Sequence, residues 1–401
     1  MVQPVSVQQR VAELVRDSHG RLLALLAAPT RDIAAAEDAL ADAVERALKR
    51  WPTDGIPSHP EAWLLTVARN RLRDMVRSHA YRMTDPLGET DRAATEPDAT
   101  DIPDRRLELM LLCAHPAVAA DIRTPLMLQV VLGVEAAAIA EAFAVPRATM
   151  AQRVVRAKKR IRDAGIPFTS PARVDLQERL PAVLEAVYGA HAVDWQSDGA
   201  AVESLSGEAL HLALVLTELL PDEPEVLGLA ALVCLSEARR PARRVGSRFI
   251  PLDEQDATRW NAALIARGEG LLRRAHGFGR PGRFQYEAAI QSAHCARPVD
   301  RLALRTLHRA LLRVAPSLGA AVALAAVEGQ IDGPEAGLRV LAAIDDPAVD
   351  RFQPAWATRA HLLSAAGRTQ AAADAYRTAI ELTTDAAIAD YLRVRLTSLS
   401  R

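Results

Sequence analysis

The sequence predicts an all-α chain, and three observations carry that prediction. Half of the 401 residues are hydrophobic but only 4% are aromatic. The apolar content is mostly Ala, Leu and Val, which favours helices joined by short turns over a β-sandwich or barrel. Apolar residues also recur three and four positions apart, as in Leu64, Leu65, Ala68, Leu72, Met75 and Val76, a buried helical stripe. Finally, the length exceeds one typical small core and implies two or three domains.

Taken in order, residues 5–82 hold three helical stretches, at about 6–27, 31–50 and 60–82. The connector TDGIPSHP (53–60) supplies Pro57 and Pro60 as turn and helix-start signals. The third stretch, PEAWLLTVARNRLRDMVRSHAYR, is amphipathic in charge as well. Arg69, Arg73 and Arg77 recur every four residues opposite the apolar stripe, with Asn70 and Arg71 beside them. Like charges at that spacing repel, so the row costs stability unless phosphate compensates it. Trp51, Trp63 and Tyr81 lie near this helix. Cations beside aromatics suit a single strand whose bases have left the stack. Core packing is the commoner role for the two tryptophans.

Residues 84–103 read as a linker by composition, since 85–108 holds eight acids against three arginines. A solvated tether accounts for it; an acidic strip that mimics DNA is the other reading. Beyond it, 104–166 reads as a helical unit whose end, VEAAAIAEAFAVPRATMAQRVVRAKKRIRD (134–163), has a helix-turn-helix pattern. Ala137, Ile139, Ala140 and Phe143 form the apolar side of the first helix. Pro146 lacks an amide proton and biases Val145 away from helical geometry, which sets the turn. Met150, Val154, Ala157 and Ile161 line the docking face of the second helix. Seven Lys/Arg against two acids between 140 and 163 leave its other faces cationic, and such a helix fits a major groove. Gly165 and Pro167 end it.

From about 171 to 401 the texture is helical and repetitive. Trp356, Leu363, Gly367, Ala372, Tyr376 and Ala379 fall at the spacing of a tetratricopeptide helix pair, with less regular pairs around 261–275, 285–315 and 318–344. One repeat cannot bury its own face, so stacked units are expected.

Catalytic and metal chemistry find no home in the pattern. Cys113-x-His115 and His294-Cys295 do not supply four zinc ligands. Gly268-x-Gly270 and Gly277-x-Gly279 follow no buried strand, and Glu223/Glu225 and Asp345/Asp346 sit beside prolines as turn or cap residues. No Gly-x-Ser-x-Gly or His-Glu-x-x-His occurs. Neither a catalytic residue, a metal site nor a cofactor is expected. The three cysteines are widely spaced, no secretory signal opens the chain and no run of about 18 apolar residues occurs, so a cytoplasmic location without membrane contact is expected.

The order AAEDALADAVERALKRWP (34–52), PEAWLLTVARNRLRDMVR (60–77), acidic linker and terminal helix-turn-helix resembles bacterial RNA polymerase sigma factors of the extracytoplasmic-function type. The first block is similar to region 2.1–2.2 of that family, the second to regions 2.3–2.4, and 104–163 to region 4. Residues 220–243, 252–275 and the final repeat are similar to the subgroup with a tetratricopeptide-like C-terminal extension. The resemblance implies a promoter-specificity factor whose partners are core RNA polymerase (the β′ clamp and β flap), promoter DNA and a protein partner of the repeats. It implies that Glu37, Asp38, Asp42 and Glu45 meet the clamp. Arg69, Asn70, Arg71, Arg73 and Arg77 would engage the −10 element, and Arg147, Thr149, Gln152, Arg153, Arg156 and Lys159 the −35 element. Val134-Glu135 replaces the Ser/Thr that usually begins the first helix of the motif, and Ala151 stands where many relatives carry Lys. The alternative from the residues alone is a helix-turn-helix regulator on duplex operators, which leaves the basic helix at 60–82 unexplained.

Overall fold

The computed structural model describes residues 7–81, 104–143, 145–168, 173–196 and 200–399; the expected linker at 84–103 lies outside them, as does Ala144 at the expected turn. Helix α1 (Val7–Thr30) is followed by α2 (Ile33–Asp54) and α3 (Pro60–Tyr81). The Asp32 carboxylate accepts from the Ala35 amide and starts α2, while Gly55, at φ +84°, closes it by donating to the Trp51 carbonyl. The three helices bury Leu22, Leu23, Leu26, Ile33, Ala36, Leu40, Leu64 and Ala68 against one another. Trp51 is 2% exposed and meets Trp63 edge-on at 5.4 Å between ring centroids, so this pair serves the core.

Helices α4 (Arg106–Cys113), α5 (Ala120–Val130), α6 (Ala136–Ala142) and α7 (Arg147–Asp163) follow. Met150, Val154, Ala157 and Ile161 of α7 are buried, the stripe the spacing predicts. Pro146 is its N-cap, and Gly165, at φ +59°, lies just past its end. One residue departs from expectation. Phe143 does not join the apolar face of α6 but is 40% exposed, because the helix ends at Ala142 and Phe143 takes φ −95°, ψ 5° outside the helical stripe.

Helix α8 (Arg173–Gln196) opens the expected extension, yet it packs with the preceding helices: Arg179 Nη1 donates to the Leu111 carbonyl at 3.3 Å. The molecule divides into two compact units, one built from α1 to α8 as far as Val193 with the first turns of α9 (Ala200–Leu219), the other from the end of α8 and the remainder of α9 onward.

The second unit is organised around α10 (Pro224–Glu237), buried along nearly its whole length as a helix apolar on all sides must be. After α11 (Arg240–Arg243), a two-residue hairpin, β1 (Arg244–Val245) and β2 (Arg248–Phe249), pairs in antiparallel register. Then come α12 (Ala262–Gly277), α13 (Arg283–Cys295), α14 (Arg301–Val314), α15 (Leu318–Asp332), α16 (Pro334–Ala342), α17 (Gln353–Ala365), α18 (Thr369–Leu382) and α19 (Ala386–Ser398). Small residues set the close crossings. A β-carbon on Gly228 of α10 would lie 2.8 Å from the Gln285 nitrogen of α13, and one on Gly268 of α12 would lie 2.7 Å from Leu235 Cγ. Gly268 is thus a packing residue inside a helix, not part of a phosphate loop.

From α13 onward the core is a series of layers in which each helix packs chiefly on its sequence neighbours. Ile290, Leu304, Leu311 and Val327 form one layer, Val322, Ala325, Leu341 and Ala355 the next, and Leu363, Ala372, Tyr376 and Ala379 the last. Gly367, at φ +72°, makes the turn between α17 and α18. The fold is all-α apart from the small hairpin, and no helix among the described residues is long and apolar enough to cross a membrane.

Candidate nucleic-acid interface

Helix α3 presents its arginines away from the core. Ala68 and Leu72 are buried, whereas Arg69, Arg71, Arg73 and Arg77 are exposed and Asn70 is half-buried. Arg73 Nη1 donates to Asn70 Oδ1 at 3.2 Å, and Arg71 Nε pairs with Asp42 of α2 at 2.5 Å. Among the described residues Arg69, Arg73 and Arg77 have no ion-pair partner, so one face of α3 keeps uncompensated positive charge. The side chains of Val76 and Tyr81 lie outside the described set.

Helix α7 is built the same way. With its apolar stripe docked, Arg147, Gln152, Arg153, Arg156 and Lys159 are exposed and Thr149 is half-buried. Arg153 approaches Asp121 at 3.4 Å, a long and exposed pair worth little.

The expected polymerase-contacting acids lie along α2. Asp38 and Glu45 are exposed, Glu37 and Asp42 half-buried, and three of the four are already engaged. Asp42 holds Arg71, and Glu45 holds Lys49 one turn on. Glu37 accepts from Lys158 of α7 at 2.6 and 2.7 Å, with the lysine side chain only 10% exposed. Beside them Arg162 reaches Asp32 at 3.3 Å, and Arg31 donates to the Gly165 carbonyl at 3.4 Å. The cationic helix therefore seats its inner edge on α2 while its outer faces stay open. Sequence reading missed this seam, because a pair 121 residues apart has no local signature; the one hint is that Lys158 lies next to the apolar stripe.

The buried groups around the seam are structural. Burial pushes the Cys113 thiol up to about 12, with Lys158 opposing and Glu37 reinforcing the shift. Burial, then Lys158, holds the His19 imidazole below its ordinary range. His115 Nδ1 accepts from the Ala117 amide in a turn. Among the described residues, no cluster of three His, Cys, Asp or Glu side chains could hold a metal. Glu225 does local work too, its carboxylate accepting from the amides of Phe284 and Gln285 to start α13.

Two helices thus present exposed arginines on an otherwise ordinary helical core, and comparison with known proteins shows what such a chain is similar to. Residues 14–82 match sigma-70 region 2, and residues 179–276 match a family of unknown function (DUF6596). The chain is 35% identical over 391 residues, 92% of its own length and 91% of the relative's, to an uncharacterized protein of Rhizobium meliloti. It is 30% identical over 167 residues to a probable RNA polymerase sigma factor of Xanthomonas campestris pv. campestris, covering 39% of this chain and 40% of that one. No solved structure matches. The chain belongs to the family of the Rhizobium protein, and with region 2 at its N-terminus it is a sigma-factor-like protein of transcription initiation.

Proposed function

We propose that the protein is a sigma factor of the extracytoplasmic-function type that binds core RNA polymerase and directs it to a specific promoter, and that it acts in the cytoplasm without catalytic chemistry of its own. The observation that carries this reading is the uncompensated arginine row of α3 inside the segment that matches sigma-70 region 2. A row of like charges is retained at a cost, and phosphate repays it. Asn70, Arg69, Arg71, Arg73 and Arg77 engage the −10 element and its displaced strand. Arg147, Thr149, Gln152, Arg153, Arg156 and Lys159 of α7, acting as a helix-turn-helix recognition helix, read and clamp the −35 element. Residues 1–83 serve the polymerase and −10 element, 84–103 link, and 104–166 serve the −35 element.

Asp38 and Glu45 are the exposed acids that meet the β′ clamp first. Glu37 joins them once Lys158 is exchanged for a basic partner. The C-terminal helical layers form a tetratricopeptide-like regulatory extension that modulates activity and offers a surface to a protein partner. Layers that bury their cores chiefly against neighbouring helices support that reading.

Reconstituted transcription tests the proposal. The purified chain added to core polymerase on a promoter library is expected to give promoter-dependent initiation. Tight duplex binding by the chain alone, with no polymerase association and no initiation, overturns it.

A further inference from the structure

The C-terminal unit contains a cavity of about 610 Å³, within the size range of small-ligand sites. Its walls come from α10 to β2 on one side and from the loops before α17 and α19 on another, with α13 closing it. The lining includes Phe249, Leu252, Phe352 and Ile388 as apolar surface and Arg239, Gln291 and His294 as polar surface.

Arg239 is the unusual member. It is 5% exposed, yet among the described residues its guanidinium donates only to neutral acceptors, the Leu235 carbonyl at 3.4 Å and the Gln291 side-chain oxygen. The lining carboxylate, Asp385, is committed elsewhere: it holds Arg244 at 2.6 Å and caps α19 through the amides of Ala387 and Ile388, and nearby Glu237 holds Arg240 at 2.7 Å. Burying a charge against dipoles alone is costly, and an anion would relieve that cost. Burial first lowers the Arg239 pKa, with Cys295 opposing the shift and Arg297 adding to it, and no carboxylate contributes to hold it up. Burial, then Arg239, drops His294 to about 4, so near neutral pH it is an uncharged imidazole that can share a hydrogen bond with a ligand. Gln255 Oε1, also on this wall, is buried and accepts no hydrogen bond.

We infer that this cavity is a binding site for a small organic carboxylate, whose anionic group pairs with Arg239 beside Gln291 and whose apolar body lies against Phe249 and Phe352. A planar guanidinium suits a carboxylate because both can form two parallel hydrogen bonds. Such a site would give the C-terminal unit a chemical signal to sense, and it does not depend on the DNA-binding reading, because binding is measured directly.

The test uses the full chain with benzoate as probe, benzamide as its uncharged isostere and inorganic phosphate as an anion with no apolar body, read by calorimetry and by thermal shift. Benzoate is expected to bind saturably at or below about 10 mM, with benzamide and phosphate at least about tenfold weaker. Arg239→Gln is expected to lose benzoate binding by about tenfold or more, and Arg239→Lys to retain part of it. The wild-type contrast between benzoate and benzamide stands even where a variant fails to fold. Equal binding of benzoate and benzamide, phosphate outcompeting benzoate, no saturable benzoate binding, or unchanged benzoate binding by a folded Arg239→Gln chain would each overturn the inference.

Discussion

The arginines of α3 and α7 and those of the C-terminal helices solve the same electrostatic problem in opposite ways. On α13 to α19 many arginines are matched within the unit. Arg305 and Arg309 share the buried Glu328, Arg368 meets Glu335, and Arg283, Arg377 and Arg393 each pair within one turn. On α3 and α7 the outward cations are left largely unmatched, although acids such as Asp38 and Glu45 stand on the neighbouring helix. In the function proposed above, these unmatched surfaces are the ones that meet an external polyanion. In the C-terminal unit Arg239 breaks the local rule in the other direction, a cation hidden from water and lacking a carboxylate, and there the missing anion must be small.

The largest expected effect breaks the comparison at α3. Replacing Arg69, Arg73 and Arg77 together by Ala should weaken promoter binding by the polymerase complex about a hundredfold or more near physiological salt, and should flatten the slope of log K against log salt by about 2–3. The same triple variant should unfold at an unchanged urea midpoint or a slightly higher one, since relief of like-charge repulsion offsets the exposed Arg73–Asn70 hydrogen bond it removes. A large loss of stability instead would make these residues structural.

Acidification addresses the buried bases. The folded pKa of His294 lies near 4, below the unfolded value of about 6.5, and burial shifts His19 and His308 in the same direction. Stability is then complete above about pH 6.5. It falls as pH drops toward 4, because the unfolded imidazole takes up a proton that the folded one refuses, with His294 contributing about 3 kcal/mol. Urea titrations between these limits should show that slope, and His294→Gln should flatten it.

Next in size, Arg153→Ala is expected to cost about 1–3 kcal/mol in −35 discrimination if it contacts a base edge; an equal loss on every sequence would make it a phosphate contact. The smallest effect concerns the seam. Lys158→Met should cost about 1–2 kcal/mol in unfolding free energy, because Glu37 loses its partner but keeps some access to water. If Glu37 joins the polymerase contact as proposed, the same variant should strengthen association with core polymerase, measurable by fluorescence anisotropy. Gly20 offers a structural companion, since a β-carbon there would collide with the Val131 carbonyl and force α1 from the turn after α5.

Much of the architecture could be read along the chain, and the reasons are local. Pro146 and Gly165 act on the backbone within a turn of themselves, so the ends of α7 follow from them, whereas α2 runs to Asp54, past the expected end near 50. The stripe of α7 and the set Leu363, Ala372, Tyr376 and Ala379 depend on helical periodicity alone, and both are buried where that periodicity puts them. Phe143 was misplaced because periodicity says nothing about where a helix stops. The grouping of α8 with the first unit, the Lys158–Glu37 pair and the Arg239 cavity were equally out of reach.

What the amino-acid order determined by itself is therefore the helical class, the apolar stripe of α7, the α17–α18 pair and the cationic character of α3 and α7, because each follows from residues within a few turns of one another. Only the tertiary structure decided which charges are spent and which are kept. Whether Lys158 finds Glu37, or Arg239 finds no carboxylate, depends on surfaces brought together across more than a hundred residues in the first case and across several helices in the second. At those distances packing, not sequence spacing, chooses the neighbours.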